Sequence, residues 1–133
     1  MKNITFKAFK ASEIEFVNKH ENGTRIEFEN KYSYNVKYSA NNTCVGEFTV
    51  EVNDKANKEK FHIRAVVLGI FTYNPESKKE IIHVETYKEL FPYVRTMISS
   101  LTVNAGIPPV ILPNFDIESQ NIYRFEKNCW GKR

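Results

Sequence analysis

Apolar and polar residues alternate over the first two thirds of the chain, as in strands with one buried face. Toward the C-terminus the repeat lengthens to the three-and-four spacing of a helix. Ile4, Phe6 and Ala8 share one parity. After an irregular stretch at Phe9 to Ala11 the pattern resumes as Ile14 and Phe16 against Glu13 and Glu15, which predicts a first strand with a bulge or bend. Asn22-Gly23 is a turn signal, because both residues tolerate positive φ. Beyond it Ile26 and Phe28 alternate with Arg25, Glu27 and Glu29, and a long second strand continues through Tyr32, Tyr34, Val36, Tyr38 and Ala40, opposed by Ser33, Asn35, Lys37 and Ser39. One of its faces is aromatic and the other polar. Asn41-Asn42 closes that strand. Phe48, Val50 and Val52 mark a third, ended by the polar cluster Asn53 to Lys60. The fourth runs from Phe61 to Tyr73 and is almost continuously apolar from Ala65 through Phe71, which predicts cover on both faces of its far end.

Asn74-Pro75 breaks the sheet. Leu90, Val94, Ile98 and Leu101, joined by Met97, then form the stripe of an amphipathic helix expected over Pro92 to Ala105. Proline fits a helix's first turn, where its missing N–H costs nothing, and Gly106 is a natural stop. Pro108, Pro109 and Pro113 predict an extended linker. A second, shorter helix is expected from Asp116, capped by Asn114 or Asp116, with Ile117, Ile122 and Phe125 as its apolar face. Residues 126–133 form a basic tail, expected to be flexible. Four strands followed by helices, without βαβ alternation, make the class α+β around an antiparallel meander, as one domain spanning 1–133.

Composition narrows the function. The 133 residues suffice for one core, 41% are hydrophobic and 26% charged, and no run approaches the roughly 18 apolar residues of a membrane span. The first residues carry no apolar leader segment, so the expected compartment is the cytoplasm. Cys44 and Cys129, far apart and without a second pair, are expected to be free thiols. The three histidines, His20, His62 and His83, have no metal-ligand spacing, and His83-Val84-Glu85 lacks the cysteine pair that a zinc deaminase needs. Neither a phosphate loop nor a GxSxG elbow is present. The expectation is therefore a protein that is not an enzyme and uses no cofactor or metal. What the chain has in excess is aromatic: ten Phe and seven Tyr, many on strand faces. One small sheet and one amphipathic helix cannot bury all of this surface, so a sister subunit or an apolar ligand is expected to cover part of it.

The run Leu90-Phe91-Pro92-Tyr93-Val94-Arg95, a helix with Ile98-Ser99-Ser100, and then Gly106-Ile107-Pro108-Pro109-Val110-Ile111-Leu112-Pro113-Asn114-Phe115-Asp116 resembles the SecB family of protein-export chaperones. Ser12-Glu13-Ile14-Glu15-Phe16 is similar to the family's first strand, and Leu68-Gly69-Ile70-Phe71 to the end of its fourth. The resemblance spans residues 4–125. It implies a four-stranded antiparallel sheet with two helices, assembled as a homotetramer, a dimer of dimers with its long helices sandwiched between sheets. It further implies ATP-independent binding of unfolded polypeptides in hydrophobic grooves, for delivery to the export motor SecA. On this reading the groove is floored by the outward aromatic face of the second strand (Tyr34, Val36, Tyr38), with Ile107 and Ile111 from the linker and Ile117, Ile122 and Phe125 from the second helix. The competing role for Tyr34 and Val36 is packing beneath their own helix. Leu90, Val94, Met97, Ile98 and Leu101 are assigned to the oligomer interface and core.

Two departures bear on the partners. His62 and Arg64 stand where the family carries an apolar residue and an acid; Glu13 is retained, but Val17 replaces its acidic partner. The tail Lys127 to Arg133 is basic where the family's is acidic. Arginine in place of a carboxylate repels a partner that selects for acid, so docking of SecA does not carry over. A dedicated client is an alternative, since SecB-like proteins also serve as chaperones of antitoxins. From a different class, a single-stranded nucleic-acid binder would also combine basic charge with strand-borne aromatics.

Overall fold

The computed structural model describes residues 3–21 and 23–113. The chain forms β1 (Ile4–Asn18), β2 (Phe28–Ser39), β3 (Thr43–Asp54), β4 (Phe61–Tyr73) and α1 (Lys79–Asn104). The four strands make one antiparallel sheet in the order β1-β4-β3-β2. β2, β3 and β4 are a meander, but β1 lies beside β4 and not beside β2, so the expected continuous meander is corrected to a Greek-key order. Alternation reports which side chains share a face, and either neighbour satisfies it equally. The β1–β2 crossover is pinned to the β3–β4 hairpin. Lys19 N donates to Lys60 O at 2.7 Å, Lys55 N to Glu27 O at 2.8 Å, and the His20 ring meets the Asp54 carboxylate at 2.6 Å. The Asp54 carboxyl lies below its usual range because the Ala56 N–H, and secondarily the His20 ring, donate to it.

β1 carries two register shifts, between Phe6 and Ala8 and between Ala11 and Glu13, flanking the stretch where its alternation fails. Asn41 and Asn42, at φ 63° and 55°, make the tight β2–β3 turn. The helix ends at Gly106, φ 88°, where Gly106 N donates to Val103 O and Ile107 N to Thr102 O. This is a Schellman motif, which needs the left-handed conformation glycine adopts freely.

The helix begins at Lys79, more than three turns ahead of the expected start, and Pro92 lies inside it. The buried stripe accounts for this. Ile82, Thr86, Tyr87, Leu90 and Phe91 continue N-terminally the face formed by Val94 and Ile98. Pro92 is exposed on the outer side, where water can satisfy the carbonyl deprived of its donor. In the sequence the mixed run Ile81-Ile82-His83-Val84 hides this periodicity.

α1 packs on one sheet face, and the core lies between them: Phe48, Val50, Val52, Phe61, Ile63, Ala65, Val67 and Phe71 from β3 and β4 against Ile82, Leu90, Val94 and Ile98. The other face of β4 is covered less well than its apolar run predicts. Val66 is 6% exposed there, but Ile70 is 39% exposed. Beyond the helix, Val110 and Leu112 are buried. The segment expected to form a second helix, with Ile117, Ile122 and Phe125, lies outside the described residues, as does Cys129 in the tail.

Candidate functional site

The aromatic face of β2 points inward beneath α1, which corrects the expectation that it faces outward. Tyr34 is 1% exposed and donates to Thr86 Oγ1 at 2.6 Å; Thr86 in turn donates to Ile82 O at 2.8 Å. Its ring meets His83 edge-on with centroids 5.0 Å apart and Tyr87 at 5.5 Å. A Cβ at Gly46 would run into the Tyr34 hydroxyl, so this tyrosine reaches the helix only because β3 has a glycine there. Burial drives the Tyr34 and Tyr87 hydroxyls upward in pKa, brings His83 down to about 4 and raises the Cys44 thiol to about 11. All four are therefore neutral at physiological pH. Tyr34 is a core residue of this protomer, the competing role named above.

The same strand opens at its two ends. Tyr32, Val36 and Tyr38 are half-buried. The Tyr32 ring lies 6.1 Å from Phe91, its hydroxyl donates to Pro113 O at 3.0 Å, and burial pushes it up to about 12, opposed by nearby Arg95. Lys79 sits over the Tyr38 ring, 4.8 Å from its centroid. The linker folds back along α1: Val110 N donates to Thr102 Oγ1 at 2.9 Å and Ser99 Oγ to Val110 O at 3.3 Å. These bonds bury Val110 and Leu112, half-bury Ile107 and leave Ile111 59% exposed. Tyr32 thus joins edge strand β2 to the linker beside the flank of α1, an apolar shelf with Ile107 and Ile111 on its linker side, while Val36 and Tyr38 lie farther along the strand toward the Lys79 end of the helix. Tyr32 and Phe91 were not singled out in the sequence, although Tyr32 shares the parity of Tyr34 and Phe91 lies in the Leu-Phe-Pro-Tyr run.

Of the residues assigned to the oligomer interface, Leu90, Val94 and Ile98 are fully buried against their own sheet, and Met97 and Leu101 are half-buried beside them. Exposed apolar surface lies instead at the other sheet edge. Phe9 and Tyr93, each 43% exposed, have ring centroids 4.9 Å apart, and Phe6 is 5.2 Å from Tyr93. On the uncovered sheet face Arg64 pairs with Glu13 at 3.5 Å and His62 with Glu15 at 3.1 Å, so the retained acid is neutralised from β4. A cavity of about 390 Å³ at the Asn3 and Tyr73 end has one carboxylate, Glu76, and no histidine or cysteine in its lining, which is no catalytic constellation.

Known proteins share this architecture. A family model described as preprotein translocase subunit SecB matches residues 1–128. The protein-export protein SecB of Orientia tsutsugamushi (strain Boryong) is 30% identical over 124 residues, 85% of this chain and 78% of that protein. An uncharacterised protein of Methanocaldococcus jannaschii, MJ0357, is 27% identical over 123 residues, 86% of this chain and 79% of that one. Among solved structures, the SecB-like chaperone Rv1957 of Mycobacterium tuberculosis, in complex with a ChAD peptide from the antitoxin HigA1 (Rv1956), superposes with a TM-score of 0.67 at 12% identity. That match covers 85% of this chain and 88% of the other, a likeness of fold. The relatives place the protein in a family of protein-export chaperones. The chain belongs to the SecB family.

Proposed function

We propose that this protein is an ATP-independent holdase that binds non-native polypeptides on the shelf between β2, α1 and the linker. The observation that carries the reading is the shelf itself. Half-buried Tyr32 is bonded to Pro113 O of the linker that carries half-buried Ile107 and exposed Ile111, and half-buried Val36 and Tyr38 continue the same strand face, in a member of a chaperone family. Such a surface offers apolar and π contacts to any extended segment, and a folded client hides the segments that would use it. Ile117, Ile122 and Phe125 complete the proposed lining. The working form is a cytoplasmic homotetramer, a dimer of dimers; the exposed Phe9 and Tyr93 rings beside edge strand β1 supply apolar surface for assembly. Among the described residues no helix is long and apolar enough to cross a membrane. Clients are export precursors or a dedicated partner such as an antitoxin. Neutralisation of Glu13 by Arg64 argues against handover to SecA on the open sheet face.

The test is suppression of aggregation of a slowly refolding protein, with the mass of the purified chain measured in the same buffer at low and high salt. Suppression by a tetramer at both salts is expected. A stable monomer at micromolar concentration would remove the assembly. Salt-sensitive binding to oligonucleotides without suppression would favour the nucleic-acid reading.

A further inference from the structure

The face of the sheet turned away from α1 is ordered by strand register into rows. On β4, Ala65, Val67 and Phe71 enter the core under the helix, so Arg64, Val66, Leu68 and Ile70 stand on the other side. Each has a cross-strand neighbour on the same face of either adjoining strand. Ile70 lies between Ala8 of β1 and Val45 of β3, Leu68 between Lys10 and Glu47, and Arg64 between Glu15 and Glu51. The face therefore changes character along β4. Its Arg64 end is paired within the chain, Arg64 with Glu13 at 3.5 Å and His62 with Glu15 at 3.1 Å. Its other end is apolar: Ile70 is 39% exposed, and Leu68 and Val45 are half-buried. Charges here are few. Glu47 meets Lys37 at 3.7 Å, and Lys10 is exposed, with no acidic partner among the described residues.

This apolar end is self-complementary. A two-fold axis along β4 lays β1 of one copy over β3 of another, which sets Ile70 on Ile70, Ala8 on Val45 and Lys10 on Glu47. Each contact off the axis then occurs twice. The same operation opposes Arg64 to Arg64 and Glu15 to Glu51. That row lies about 13 Å from Leu68 along β4, however, where the roughly 30° crossing of packed, twisted sheets carries the strands apart. We infer that the apolar end of the open sheet face is a weak homotypic interface, occupied by a second copy packed sheet to sheet about an axis along β4. It is separate from the Phe9 and Tyr93 edge and independent of the holdase reading. The contact spans three strands by about five residues, on the order of 250 Å² a side, against the ~800 Å² per partner of a standard stable interface. Pairing is therefore expected only at roughly 10–100 μM chain. In the paired form this face is closed to any other partner.

The experiment follows the mass of the full chain by sedimentation from ~1 to ~300 μM at ~0.05 M salt. The mass is expected to double between the two ends of this range. Ile70→Lys, at an exposed position, is expected to abolish the doubling while leaving the low-concentration mass and the melting temperature unchanged. Lys10→Glu and Glu47→Lys are each expected to weaken pairing roughly tenfold, because each places like charges across the axis twice. Their combination restores opposite charges and is expected to return the midpoint to within about threefold of the original. Within one chain the two residues flank Leu68 about 10 Å apart, so this rescue reports contact between copies. Absence of doubling in the unaltered chain, doubling that survives Ile70→Lys, or a combined variant as weak as the sum of the single ones overturns the interface. Loss of aggregation suppression in Ile70→Lys with no change of mass at any concentration assigns the face to a client and overturns it as well.

Discussion

The two long flanks of α1 are built from similar residue types and are finished differently. On the β1 side Phe6, Phe9 and Tyr93 pack together at a strand edge, with Phe9 and Tyr93 each 43% exposed. On the β2 side Tyr32, in ring contact with Phe91, is held by a linker that hydrogen-bonds back to Ser99, Thr102 and Tyr32. A bare aromatic edge suits a surface that is rigid and self-similar, such as a second copy of the chain. A partly covered shelf suits an occupant that varies. Similar aromatic content thus supports unequal roles, and backbone cover makes the difference.

The strongest way to break the comparison is to remove what both flanks share. Leu90→Ala deletes a fully buried side chain under the middle of α1 and is expected to cost about 3 to 5 kcal/mol in a chemical-denaturation series, loosening both flanks together. Tyr34→Ala belongs with it: loss of a buried ring should lower stability, so any weakening of client binding in that variant is to be read against its melting temperature.

Acid acts next. His83 is neutral in the fold, with its pKa brought from the usual 6.5 down to about 4 by burial, so the unfolded chain binds a proton there before the folded one does. The folded state is penalised as pH falls from about 6.5 to about 4, by up to on the order of 3 kcal/mol. Asp54, held below its usual range, adds to the loss at lower pH. Melting temperature followed against pH should drop through this window, and His83→Gln should flatten the drop.

The flanks can also be separated. Phe9→Ser with Tyr93→Ser, at exposed positions, should leave secondary structure intact and lower the assembly mass in light scattering while peptide binding per chain persists. An unchanged mass would move the assembly surface elsewhere. The smallest expected effect is Tyr32→Phe, which removes the hydroxyl that holds Pro113 O. A loss of about 1 kcal/mol is expected, visible as faster amide exchange along residues 106–113 with α1 unaffected.

Much of this was legible in the residues. β4 spans Phe61–Tyr73 as its apolar run indicates, β1 bends where its alternation fails, and Gly106 ends the helix with the positive φ that a stop requires. These features are local: parity, turn chemistry and capping act over a few residues and leave their mark in the same few residues. The family was likewise readable from the Leu90 to Arg95 run and the prolines that follow the helix. The start of α1 was not, because Pro92 looks like a first-turn residue until the stripe from Ile82 to Phe91 is seen to share one buried face.

Tertiary structure decided the rest. β1 pairs with β4 because the crossover is fastened to the β3–β4 hairpin through contacts such as His20 with Asp54, residues distant in sequence. The aromatic face of β2 turned inward because a sheet with one helix has one covered side, and alternation cannot say which side the helix takes. Tyr34 therefore became core while Tyr32 and Tyr38, of the same parity, stayed within reach of solvent on either side of it along the strand. Sequence alone determined the elements, their faces and the family. The sheet order, the covered face and the closure of the linker onto Tyr32 arise from contacts between residues that no local pattern links, and only the folded chain brings them together.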